Sequence, residues 1–224
     1  MKKYVNLFVF VFMIGACLSQ GRAQTKSAVS YKNPVVDIAM PDPTVIKAAD
    51  GYFYVYATES TRNVPIMKSK DLVEWTYCNT AFTNKTRPRF EPKAGIWAPD
   101  INYINGKYVL YYAMSVWGGE QTCGIGVATA DSPQGPFTDH GKMFRSNEIG
   151  VQNSIDPSLL QYEGRNYLVW GSFRGIYVIE LTADGLSIMP GAKKKRIAGT
   201  AFEAVYIHKH GDYYYCLLYT SDAA

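Results

Sequence analysis

Three acidic residues, Asp42, Asp156 and Glu203, stand at or next to the start of a sequence unit that recurs along the chain. Acids drawn from separate units and brought to one pocket can divide general acid and general base work between them. The units that would position them read strand, tight turn, strand. The first runs Asp42-Pro43-Thr44-Val45-Ile46 into Gly51-Tyr52-Phe53-Tyr54-Val55-Tyr56. The second runs Ala98-Pro99-Asp100-Ile101 into Gly106-Lys107-Tyr108-Val109-Leu110-Tyr111. The third runs Ile155-Asp156-Pro157-Ser158-Leu159 into Gly164-Arg165-Asn166-Tyr167-Leu168-Val169. The fourth runs Phe202-Glu203-Ala204-Val205 into Gly211-Asp212-Tyr213-Tyr214-Tyr215. The turn glycines Gly51, Gly106, Gly164 and Gly211 are 55, 58 and 47 residues apart. Short strands repeating at a period near 50 predict radial repetition, a β-propeller. The start of each blade's innermost strand faces the shared axis, so Asp42, Asp156 and Glu203 are expected at equivalent places around one central pocket. On this architecture, converging carboxyl groups point to sugar chemistry.

Composition narrows the partners. The formal charge of +4 includes Lys2, Lys3 and Arg22 with no acid among the first 23 residues, which leaves 20 basic against 19 acidic side chains beyond them. A net charge of about +1 gives no footprint for nucleic acid or an anionic membrane. The one dense basic run, Lys193-Lys194-Lys195-Arg196, is read as an exposed segment between strands of one blade. Residues 1–23 read as an export signal, with Lys2 and Lys3 before an apolar stretch from Val5 to Ala16 that is too short to span a bilayer. Gly21-Arg22-Ala23 offers cleavage after Ala23. A second reading takes Ile14-Gly15-Ala16-Cys17 as a lipoprotein box with Cys17 lipidated. Either way the protein leaves the cytoplasm for the periplasm or the exterior, without a membrane span. Cys78, Cys123 and Cys216 are odd in number and irregular in spacing, which fits neither a disulfide framework nor a metal site. They are expected as buried or idle thiols.

Residues 24–224 are expected to form one all-β domain. Residues 24–36 read as an extended lead-in. Blade one spans roughly Asp42–Phe90, blade two Trp97–Ile149 and blade three Ile155–Gly199, and blade four opens near Phe202. This is about three and a half blades of an incomplete ring, and a longer parent chain is expected. Leu217–Ala224 does not continue the blade pattern in sequence.

Several motifs occur in order: Pro41-Asp42-Pro43, Ser69-Lys70-Asp71-Leu72-Val73-Glu74-Trp75, Trp97-Ala98-Pro99-Asp100, Ser132-Pro133-Gln134-Gly135-Pro136-Phe137, Ser154-Ile155-Asp156-Pro157 and Phe202-Glu203-Ala204. Through them the chain, over residues 33–215, resembles glycoside hydrolase family 43, whose members are five-bladed propellers that hydrolyse arabinose- and xylose-containing polysaccharides. Asn153-Ser154-Ile155-Asp156-Pro157, Gly171-Ser172-Phe173 and Ser115-Val116-Trp117-Gly118 bring it nearest to the endo-acting arabinanases. The resemblance implies Asp42 as general base, Glu203 as general acid, and Asp156 as the helper that orients the acid and raises its pKa. An inverting hydrolase needs such a base and acid about 6.5–9.5 Å apart, so that water fits between base and sugar. Trp97 and Trp117 match positions where rings line sugar subsites, Phe173 is read likewise, and Ser172 and Asn153 are read as hydrogen-bonding residues at the pocket.

The chemistry requires no cofactor. The resemblance implies a structural cation, such as calcium, held partly by a histidine from a region that this chain does not supply. After Glu203-Ala204 the chain has Val205 where the family often has proline. Asp100 is expected to satisfy backbone donors, Trp75 to pack in the core, and His208 and His210 to share one side of a hairpin. The expected partner is a plant cell-wall polysaccharide or oligosaccharide, met by a monomer. The leading expectation is hydrolysis of α-1,5-arabinan. The alternatives are an exo-acting β-xylosidase or α-L-arabinofuranosidase, a carbohydrate-binding propeller without catalysis, or an inactive fragment.

Overall fold

In the computed structural model, which describes residues 30–220, fourteen strands form three four-stranded antiparallel sheets and a two-stranded one. Blade one is β1 (Thr44–Lys47), β2 (Phe53–Tyr56), β3 (Pro65–Ser69) and β4 (Thr76–Thr80). Blade two is β5 (Gly95–Ile104), β6 (Lys107–Ser115), β7 (Gly124–Ala130) and β8 (Thr138–Arg145), followed by the single helical turn α1 (Ser146–Ile149). Blade three is β9 (Ser158–Tyr162), β10 (Arg165–Trp170), β11 (Ile176–Glu180) and β12 (Lys195–Ala198), and β13 (Glu203–His210) pairs with β14 (Tyr213–Tyr219). Each sheet is ordered as its strands occur in the chain, the meander of a propeller blade. Two of the hairpins close on two-residue loops, Asn105-Gly106 and Glu163-Gly164, with both residues at positive φ. That is the type I′ geometry, which matches strand twist.

The blades stack face to face, and β6 shows how. Leu110, Tyr112 and Met114 pack with Tyr54, Tyr56, Ile66, Phe82 and Ile96 against blade one. Val109 and Tyr111, on the opposite face, pack with Phe144, Leu168 and Trp170 toward blade three. Alternation along one strand therefore feeds two separate cores, and β6 is buried from Tyr108 to Ser115. A smaller cluster, Val169, Ile176 and Val205, joins blade three to β13. Tyr54, Tyr56, Tyr108 and Tyr111 of the repeats serve this packing, whereas Tyr213, Tyr214 and Tyr215 of the fourth copy are exposed. The described residues from Lys32 onward belong to one compact unit.

Several expectations are modified. The stretch after Leu217 does continue the blade: β14 runs to Tyr219, whose Cα partner is Glu203. Trp75 is not in a core cluster. It is half-buried, lines a surface cavity with Pro34, Val36 and Val45, and donates its indole N–H to Leu72 O at 3.1 Å. Cys123 is buried and Cys78 half-buried, while Cys216 is exposed. Lys193 to Arg196 is exposed, with Lys195 and Arg196 opening the outer strand β12, where charge discourages edge-to-edge pairing. His208 and His210 alternate on exposed β13. No described helix is long and apolar enough to cross a membrane. The export signal with its Cys17 alternative lies outside the described residues.

Candidate active site

The four blades enter their innermost strands through the same backbone device. Asp42, Ala98, Asp156 and Ala204 all have positive φ, at 48°, 38°, 56° and 50°. In β5 and β13 this residue falls inside a β-bulge, between Trp97 and Asp100 and between Glu203 and Tyr206. A left-handed residue other than glycine costs energy, and bulges re-aim side chains; both cluster at functional sites. Asp42 and Asp156 therefore occupy equivalent places. Glu203 does not: the equivalent residue in its blade is Ala204, and Glu203 precedes it, in register with Pro41, Trp97 and Ile155. The expected threefold equivalence of the acids is corrected to two equivalent aspartates and one glutamate offset by a residue.

The offset does not separate them. Asp42, Asp156 and Glu203 line one cavity of about 760 Å³, and so do Trp97, Trp117, Asn153, Ser172 and Phe173. Each acid is held by a different neighbour. Thr58 donates its hydroxyl to Asp42 Oδ2 at 2.5 Å and accepts the Ala98 N–H at 2.6 Å, so one side chain couples blades one and two. Ser172 donates to Glu203 Oε2 at 2.7 Å. The Ala204 N–H donates to Asp156 Oδ2 at 3.1 Å. Burial pushes the Asp156 carboxyl up to about 7, opposed by that N–H bond and reinforced by the negative charges of Glu203 and Asp42.

The far wall is aromatic. The Trp97 and Trp117 rings are 6.4 Å apart at 56°, and Trp117 is 95% exposed, an indole held out in solvent. Trp97 lies across Gly95, where a Cβ would come within 2.4 Å of its Nε1. Phe173 sits at the tip of the turn between β10 and β11, with its N–H on Phe202 O at 2.9 Å. Asn153 does not reach the acids; its side-chain amide holds Ser172 O at 3.2 Å and so braces the residue that does.

Below the acids the inner strands enclose a second space of about 470 Å³, bordered by Thr44, Asp100, Asn102, Ser158 and Leu159. Asp100 is buried there and accepts from Leu159 N and Asn102 Nδ2, each at 2.7 Å, and from Thr44 Oγ1 at 3.4 Å. It ties three blades together, the structural part expected of it, and burial raises its carboxyl to about 6. Among the described residues no three His, Cys, Asp or Glu gather closely enough to hold a metal ion.

Sequence reasoning passed over Thr58, Glu120 and Tyr219. Tyr219 and Glu120 line the cavity, and Thr58 contacts Asp42. The one available signal was position: Glu120 closes the Trp117-Gly118-Gly119 turn already marked out by its tryptophan.

Radially stacked sheets with acids and indoles around one axial cavity define the chain as a β-propeller. The family comparison agrees. The chain belongs to the glycosyl hydrolases family 43, whose model matches residues 31–223. It is 35% identical over 191 residues to an extracellular endo-α-(1→5)-L-arabinanase of Bacillus subtilis, covering 79% of this chain and 58% of that protein. The solved structure of a native Bacillus subtilis arabinanase superposes with a TM-score of 0.71 at 32% identity, over 81% of this chain and 66% of that one. A Cellvibrio cellulosa α-L-arabinanase complexed with arabinohexaose superposes with a TM-score of 0.70 at 27% identity, over 80% and 64%. The chain thus spans a little over half the length of the curated relatives it matches.

Proposed function

We propose that this protein is an exported glycoside hydrolase that cleaves α-1,5-linked arabinan with inversion, Asp42 acting as general base and Glu203 as general acid. The observation that carries the reading is that the three acids and five sugar-facing candidates share one cavity. The names of the Bacillus subtilis and Aspergillus niger relatives, an endo-arabinanase and a probable arabinan endo-1,5-α-L-arabinosidase, support the substrate. An arabinohexaose complex of a structural neighbour supports an oligosaccharide in such a site. The extracellular Bacillus relative supports export.

On this reading the two hydrogen bonds divide the work between the oxygens of each carboxyl group. Thr58 occupies Asp42 Oδ2, which leaves Oδ1 to take a proton from the attacking water. Ser172 occupies Glu203 Oε2, which leaves Oε1 to carry the proton given to the departing glycosidic oxygen. The hydroxyl left on water bonds to the anomeric carbon as the old C–O bond breaks on the opposite face, and configuration inverts. Asp156 anchors Ala204 and so fixes the backbone beside the acid. Trp97, Trp117 and Phe173 offer apolar faces to sugar rings. The reaction draws on carboxyl groups and water alone.

Asp42→Asn and Glu203→Gln variants assayed on debranched arabinan test the reading. Each is expected to lose at least ~10²-fold in kcat. Near-parental turnover by either would remove its assigned part.

A further inference from the structure

We propose that Glu120 is a positioning residue that acts on the Glu203 end of the site through the turn at residues 171–175. The proposal rests on the assignment of Glu203 as general acid. The turn needs holding from outside. Gly171, Phe173 and Gly175 all lie at positive φ, at 129°, 47° and 106°. A Cβ on Gly171 would stand 2.2 Å from Gly175 O, so only glycine closes the turn there. A five-residue segment with three left-handed positions has few bonds of its own, yet it carries Ser172, which grips Glu203, and Phe173, which faces the cavity.

Glu120 supplies the hold. Arg174 Nε donates to its Oε2 at 3.1 Å and Arg174 Nη2 to its Oε1 at 3.0 Å, the paired fork that fixes both groups in one orientation. Gln152 donates to the same carboxylate. The backbone O of Glu120 accepts the Asn153 N–H at 2.7 Å, and Asn153 in turn holds Ser172 O. One residue at the end of the Trp117 loop therefore grips the turn twice, by its side chain through Arg174 and by its backbone through Asn153. An exposed ion pair contributes little to global stability. The same pair placed on a strained turn decides where two site residues stand, and a small displacement of a positioned group is felt in rate. Glu120 thereby links the ring at 117 to the hydroxyl at 172 and the ring at 173, and sets the distance across the cleft.

The experiment combines hydrogen exchange with a mutant cycle on the full protein. In Glu120→Ala and Arg174→Ala, the amide of Phe173 and its neighbours in the turn are expected to exchange roughly tenfold faster or more, while β10 keeps its protection. In kcat/KM on debranched arabinan, Glu120→Ala is expected to lose roughly fivefold to twentyfold, and much less in a Ser172→Ala background, because both act on one bond. Glu120→Gln, which keeps an acceptor for Arg174, recovers part of the loss. Unchanged exchange in the turn overturns the proposal whatever the activity, and so do additive losses with Ser172→Ala. A parent that cleaves no arabinan but whose turn loosens on mutation sinks the proposed reaction and leaves the positioning contact standing.

Discussion

The backbone N–H of Ala204 donates to Asp156 Oδ2 across the gap between two blades, so the carboxyl of blade three holds the residue that follows Glu203. The contact gives Asp156 two attachments to the acid, a mechanical one through the backbone and an electrostatic one through space. Asp156 carries a raised pKa in spite of that bond, because the group is buried, has one N–H for compensation, and faces two other acids.

This predicts an unusual pH dependence of stability. The Asp156 carboxyl titrates at an ordinary value near 3.8 when unfolded and at about 7 when folded. Between those values the folded state binds more protons than the unfolded one, so stability falls as pH rises through the window from about 4 to about 7. Asp156→Asn keeps an oxygen for the Ala204 N–H and cannot ionise. It is expected to flatten that slope and to stabilise the protein at pH 8 by on the order of 1–3 kcal/mol, while activity falls. Denaturant melts of both proteins at pH 5 and pH 8 check it; parallel losses at the two pH values would show that Asp156 is not the titrating group.

Thr58 is expected to matter to rate through Asp42. Thr58→Val is nearly isosteric, removes the donor to Asp42 Oδ2 and orphans the Ala98 N–H. A hydrogen bond to a charged group is worth about 1.5–3 kcal/mol, so kcat is expected to fall roughly tenfold or more. Thr58→Ser keeps both bonds and is expected to restore most of it. Steady-state kinetics of the two variants decides; equal activity would mean that Asp42 needs no such support.

The parts of the fold that were legible in the sequence are those with local causes. Asn105-Gly106 and Glu163-Gly164 announce hairpins because two-residue loops demand positive φ. Tyr-rich strands between them announce packing on both faces. Asp42 and Asp156 stood out because each precedes a proline at the same point of the repeat. The offset of Glu203 was not visible, because the left-handed residue of its blade is an alanine, which carries no signature of that conformation. Thr58 and Glu120 were hidden for another reason. Thr58 faces Asp42 across the β1–β2 hairpin, 16 residues away, and a threonine there carries no signature of the bond it makes; Arg174 lies 54 residues from Glu120 and is brought to it by the packing of blade three on blade two, which no local spacing records. Trp75 misled because a large aromatic is read as core, whereas here it covers the lead-in segment near Pro34.

Asp100 is predicted to carry stability. Its Oδ2 accepts the Leu159 N–H, which joins blade two to blade three, and it also takes the Asn102 amide. Asp100→Ala leaves both donors unpaired in the interior, at about 1–3 kcal/mol for such a loss. Asp100→Asn keeps one acceptor and can turn its amide toward Thr44, so it is expected to cost less. Thermal melts rank the three proteins; an undiminished Asp100→Ala would mean that water replaces the carboxylate without loss.

The two indoles should separate binding from folding. Trp117 is 95% exposed, so Trp117→Ala removes almost no buried area and its melting temperature should be unchanged. The loss should appear in KM for arabinan, with kcat nearly constant, because a ring that stacks on sugar in ground and transition states alike contributes uniform binding. Gly95→Ala tests the other ring without touching it. The added methyl would stand 2.4 Å from Trp97 Nε1, so the indole must swing away from Gly95 and from its 6.4 Å approach to Trp117. The expected result is again a raised KM, with a change in tryptophan fluorescence that Trp117→Ala combined with Gly95→Ala reduces. A Gly95→Ala protein with parental KM and emission would show that Trp97 accommodates the methyl in place and that its position over the glycine does not shape the site.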